Sequence, residues 1–154
     1  MIRFDLLARE VLLKRTGTSG RQIVETCLKM EELYTGLLFV PEQGDTTFFQ
    51  RMRRAYVSKF TDCMMHGIDL AIEMDDLPSA SWLVEAALKQ APLREDVVRC
   101  AMRIYDLSGR RREVVELYNS HLHVLESQLH ALPEEETRLL YESIITKSKF
   151  SVLL

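Results

Sequence analysis

Apolar residues recur along this chain at intervals of three and four. Ala80, Leu83, Val84, Ala87 and Leu88 keep that rhythm, the pattern breaks at Pro92, and it resumes through Val97, Val98, Ala101 and Met102. Such spacing gathers side chains on one face of an α-helix. A break this short, centred on a proline that cannot continue a helix, predicts two helices folded back on each other.

The same period organises the rest of the chain. Phe4, Leu6, Leu7, Val11 and Leu12 predict a short first helix, ended by TGTSG at 16–20. Ser19 is placed to cap the next helix, whose stripe of Ile23, Val24, Cys27, Leu28 and Met30 leads to Tyr34. TGLLFVPEQGD, 35–45, combines glycines and a proline with an apolar knot and predicts a loop that packs. Phe49, Met52, Tyr56, Phe60, Cys63, Gly67, Ala71 and Met74 mark the longest helix, about 47–74, with Thr47 and Gln50 at capping-box spacing. A glycine inside a helix costs about 1 kcal/mol relative to alanine, so Gly67 is expected to admit a closely packed neighbour.

Asp75 and Asp76 form the next turn, and Pro78 falls in the first turn of a helix reaching about Gln90. Another begins at Arg94 or Glu95 and stops after Leu107 at Ser108-Gly109, a pair suited to a left-handed cap. Val114, Leu117, Tyr118, His121, Leu122, Leu125 and Leu129 continue the stripe to about residue 130. Pro133 and the acids Glu134, Glu135 and Glu136 open a last helix, expected to end near Lys147. No segment alternates as a strand does. The fold class is all-α, a stack of antiparallel helical hairpins with about seven helices.

Composition narrows the function more than the fold. A chain of 154 residues can bury roughly two thirds of its unfolded surface and needs no disulfide staples. With 47% apolar and 28% charged residues it is neither disordered nor built to span a bilayer; its apolar runs, such as LLFV at 37–40, are far too short. Acids among the apolar residues of MIRFDLLARE do not suit a secretory signal, so a cytoplasmic location is expected. Cys27, Cys63 and Cys100 lie far apart within apolar stripes and read as buried free thiols. A net charge of −3 gives no global attraction to nucleic acid.

Chemistry-bearing motifs are missing. Cys63 and His66 could join His121 and His123 on paper, but no second pair at fixed spacing completes a metal site, and none is expected. No nucleophile comes with a base and an orienting partner, and no Gly-rich phosphate loop is present, so neither catalysis nor a cofactor is expected. Two basic clusters remain, Arg51, Arg53 and Arg54 on the long helix and Arg110, Arg111 and Arg112 at a hairpin turn. They either solvate helix faces or form part of a partner surface. Trp82 stands off the apolar stripe of its helix and either fills a groove or marks an interface.

Repeat arithmetic and motif order suggest a narrower reading. In tetratricopeptide-like helix pairs, with a period of about 34 residues, a proline follows the second helix and small residues sit where the helices cross. With Pro92 as that proline, Ala80 and Ala87 occupy the crossing positions. One period on, Val114 and His121 replace small residues, so the second repeat is degenerate. LYTGLLFVPE at 33–42, RMRRAY at 51–56, APLRED at 91–96, AMRIYDLSGRRREVVELY at 101–118 and ETRLLYESI at 136–144, in this order, resemble the bacterial transcriptional activator domain of SARP-type regulators. Met74-Asp75-Asp76 stands where that family usually has a glycine-containing turn, and HVLESQLHALPEEE replaces its more usual Gly-rich lead into a proline.

The resemblance implies an N-terminal helix and turn at 1–19, the domain itself at 20–147 and a tail at 148–154. It implies a regulatory module that self-associates or contacts the transcription machinery. DNA would be reached only through a separate DNA-binding domain absent from these residues. A free-standing adaptor that binds a peptide or protein partner is the other reading. The candidate partner surface is drawn from Trp82, Arg51, Arg54, Arg110, Arg111 and Arg112.

Overall fold

A computed structural model describes the backbone of residues 2–13, 17–37 and 46–152 and most of their side chains. Seven helices follow one another, with no strand among the described residues: α1 (Ile2–Leu12), α2 (Gly20–Leu37), α3 (Thr46–Glu73), α4 (Leu77–Gln90), α5 (Glu95–Leu107), α6 (Arg111–Leu129) and α7 (Glu135–Val152). Contacts divide the chain into two units, Met1–Ala91 and Pro92–Leu154, and the boundary falls at the proline break read from the sequence.

In the first unit α1 packs on α2 and α3, α2 on α3 and α4, and α3 on α4. Aromatic rings join the first three helices. Phe4 meets Tyr34 at 5.9 Å and Tyr56 at 5.5 Å between centroids, and Tyr34 stacks on Phe60 at 4.2 Å. Phe60 is almost fully buried, which stabilises the fold by about 1.5–3 kcal/mol. Deeper in, Met64, Ile68 and Ala71 of α3 lie buried with Leu83, Val84 and Ala87 of α4, the α4 stripe expected from its spacing.

Gly67 does what its position suggested. A Cβ there would lie 2.7 Å from Cys27 Sγ, 3.1 Å from Cys27 Cβ and 3.2 Å from Leu83 Cδ1, so α2 and α4 both approach α3 at this point. The Cys27 thiol donates to the carbonyl oxygen of Cys63 at 3.3 Å.

Helix ends follow local chemistry. At the start of α2 the Ser19 backbone N–H donates to Gln22 Oε1 and the Gln22 N–H donates to Ser19 Oγ, a reciprocal capping box. Asp76 caps α4 by accepting from the Ser79 N–H at 3.2 Å, with Pro78 in the first turn. α3 closes through Asp76 N–H to Ala71 O and Asp75 N–H to Ile72 O, with Asp75 at φ 56°. These two bonds form a Schellman motif whose left-handed position usually holds glycine. α5 closes identically through Arg110 N–H to Tyr105 O and Gly109 N–H to Asp106 O, and here Gly109 supplies the φ of 72°.

Four boundaries differ from the sequence reading. α2 continues through Thr35 and Gly36 to Leu37, where a loop was expected from residue 35; one glycine near a helix end is tolerated at about 1 kcal/mol. α3 starts at Thr46, which puts Thr47 inside the helix and not at its cap. α7 starts at Glu135, leaving Pro133 outside, and runs five residues past Lys147 to Val152, because Ser and Lys residues there lower helix propensity only slightly. The expected packed loop at 38–45 lies outside the described residues, as does the side chain of Phe49.

In the second unit α5 packs on α6 and α7, and α6 on α7. α5 is the centre, with Val97, Val98, Cys100, Ala101, Met102, Ile104 and Tyr105 buried. Its first turn carries Glu95 and Asp96, which favour the positive end of the helix.

Candidate interaction surface

α4 turns one face inward and another to solvent. At about 100° per residue, Trp82 lies about 200° round the helix from Ala80, away from the buried Ala80, Leu83, Val84 and Ala87. It is 59% exposed. Pro78, Glu85 and Lys89 are exposed too, and their spacing of four, three and four residues through Trp82 makes one continuous face. A large aromatic ring rimmed by charged residues has the composition of a binding hot spot.

Arg51, Arg53 and Arg54 are exposed on the first half of α3. Among the described residues that half buries nothing before Phe60, and Phe48 beside the arginines is itself 59% exposed. Arg51 and Arg54, three residues apart, share a face, whereas the charge of Arg53 acts on the buried Tyr34 hydroxyl.

Each arginine of the other cluster has a carboxylate beside it. Arg110 Nε is 3.2 Å from Glu113 Oε1, with its guanidinium 4.5 Å above the Tyr105 ring. Arg111 Nε lies 3.6 Å from Asp106, and Arg112 Nε 2.9 Å from Glu116. Surface pairs of this kind stabilise little, but they cut the positive field that three consecutive arginines suggest. Trp82 and Arg51 with Arg54 belong to the first unit, and Arg110, Arg111 and Arg112 to the second.

The sequence reading missed a polar cluster in the second unit. The Glu95 carboxylate, on α5, accepts from the Glu134 N–H at 2.9 Å and from the Thr137 hydroxyl at 2.6 Å. Arg99, one turn further along α5, donates to Glu134 Oε2 at 2.7 Å and to Thr137 Oγ1 at 3.0 Å. Burial works against the Arg99 charge, but Glu134, Glu136 and Glu95 outweigh it and raise its pKa. His121 of α6 is buried as its stripe position implied, with Nε2 3.8 Å from Glu95 Oε2 and neither ring nitrogen hydrogen-bonded. Residues 39 and 42 positions apart form these bonds, so no local period signals them.

Among the described residues no group of three His, Cys, Asp or Glu side chains is placed to hold a metal ion, and no helix is long and apolar enough to cross a membrane. Burial raises the thiol pKa of both Cys27 and Cys63 to about 12, which removes them as nucleophiles.

The model of the bacterial transcriptional activator domain matches residues 9–145, most of the chain. The chain belongs to this family. It is a helical, tetratricopeptide-like family, in agreement with the seven helices, and its members are regulatory modules of transcriptional activators. No curated protein and no solved structure matches the chain. Within the activator domain, Asp75 takes the left-handed position of the turn at 74–76, with φ 56°.

Proposed function

We propose that this activator domain is a protein-interaction module. It assembles a bacterial transcriptional regulator through self-association or contact with the transcription machinery, and leaves DNA reading to a separate domain. The observation that carries this reading is Trp82, a large aromatic side chain held in solvent by a helix whose opposite face is anchored in the core. Exposing such a ring has a cost that burial against a partner recovers, and tryptophan is the residue most enriched at interface hot spots. The net charge of −3 and the acid-paired arginines at 110–112 support a protein partner over a phosphate backbone.

Trp82 is the one tryptophan in the chain, so 5-fluorotryptophan labelling gives a single fluorine resonance that reports on this face. Raising the protein concentration or adding bacterial RNA polymerase is expected to shift or broaden that resonance. A resonance unmoved by both counts against the proposal.

A further inference from the structure

We propose that α7 is a strap that opens as a unit from α5 and α6, and that the Glu95 clamp on its first turn sets how often it opens. The proposal is independent of the Trp82 surface. α7 is shallowly anchored: in its described stretch, 135–147, only Thr137 and Ile144 are buried, against seven of the thirteen residues of α5. Its middle is held by the Tyr141 ring, stacked on Tyr118 at 3.9 Å and 5°. Polar fastening comes from α5. Glu95 grips the Glu134 N–H and the Thr137 hydroxyl, while Arg99 bridges Glu134 and Thr137 from the next turn.

This arrangement separates the cost of opening α7 from the cost of unfolding the unit. Detaching α7 breaks charge-assisted hydrogen bonds that water can replace and, over 135–147, uncovers two buried residues, whereas detaching α5 would uncover seven and expose the core. Opening also frees Tyr118, Glu134 and the acidic first turn of α7, Glu135 and Glu136, for other contacts. The device is a conformational switch whose closed state depends on one carboxylate.

Hydrogen–deuterium exchange of the full chain, followed by mass spectrometry, tests it. In the parent, amides of 135–147 should exchange well ahead of those in α5 and α6. Glu95→Ala should raise α7 exchange by roughly tenfold or more and leave the cores of α5 and α6 unchanged. Thr137→Val, which keeps the volume and removes the hydroxyl, should act in the same direction and serves if Glu95→Ala folds poorly. Exchange of α7 in step with α5 and α6 in the parent overturns the proposal. So does an α7 rate that neither variant changes, or variants that accelerate all three helices alike.

Discussion

Gly67 of α3 lies directly beneath Cys27 of α2, so closely that a Cβ on residue 67 would stand 2.7 Å from the Cys27 sulfur. Leu83 of α4 closes on the same point, 3.2 Å from that Cβ. Three helices of the first unit therefore share one crossing, and its tightness depends on the missing side chain. Gly67→Ala gains helix propensity but forces Cys27 off its hydrogen bond to Cys63 O. The net expectation is a loss of about 1–3 kcal/mol, because overpacking a closed core outweighs the propensity gain. Chemical denaturation checks it, and a Gly67→Ala protein as stable as the parent would show that α2 and α4 do not meet α3 here.

Asp75 gives a change of opposite sign. It holds φ 56° at the end of α3 and places a negative charge at the negative end of the helix. Asp75→Gly should stabilise by about 0.5–1 kcal/mol, since glycine adopts this conformation without strain. Gly109→Ala, at φ 72° with open space around it, should destabilise by a similar amount through strain alone. Paired thermal melts would read both.

Three aspartates contribute to the acid limb of stability. The Lys59 hydrogen bond lowers the pKa of Asp5, the Ser79 side-chain and backbone hydrogen bonds lower that of Asp76, and the Arg94 hydrogen bond lowers that of Asp96. A depressed folded-state pKa contributes stability above the ordinary value of 3.8 that disappears as pH falls through the folded-state value. Stability should thus fall below about pH 4. Asp76→Ala should lose about 1 kcal/mol of capping at neutral pH and show a shallower decline in acid. Denaturation midpoints measured from pH 7 to pH 2 would test both the sign and the window.

Cysteine reactivity should follow burial. Cys27, Cys63 and Cys100 are buried thiols outside any disulfide, and burial pushes the first two to about 12. A thiol-reactive chromophore is expected to label none of them quickly in the native protein and all three in denaturant. Rapid native labelling of Cys27 or Cys63 would contradict the packing around Gly67.

Where the sequence was informative, the information was local. Ala80, Leu83, Val84 and Ala87 announced the buried face of α4 because burial follows the helical period, and Trp82 was legible as the residue off that stripe. Ser19, Pro78 and Gly109 announced their helix ends because cap chemistry acts over three or four residues. Thr35 to Leu37 and the end of α7 were misread because propensity changes too gently there to mark a boundary. Glu95, Arg99 and Thr137 were illegible for a different reason: their bonds join residues about forty positions apart, and only the tertiary fold brings them together. The basic run at 110–112 looked more exposed in charge than it is, since Asp106, Glu113 and Glu116 reach it from neighbouring turns.

The most direct test of the central claim, that this activator domain acts by binding protein through the outer face of α4, is sedimentation velocity of the parent and Trp82→Ala. Each would be run alone over a concentration series and with bacterial RNA polymerase. Trp82 is 59% exposed and lies off the buried face of α4, so the variant should melt close to the parent. The account predicts that the parent forms a heavier species, either with itself or with the polymerase, and that Trp82→Ala weakens it by roughly tenfold or more, as loss of a hot-spot tryptophan does. A parent that sediments as a monomer and ignores the polymerase, or a complex that Trp82→Ala leaves intact, would contradict it.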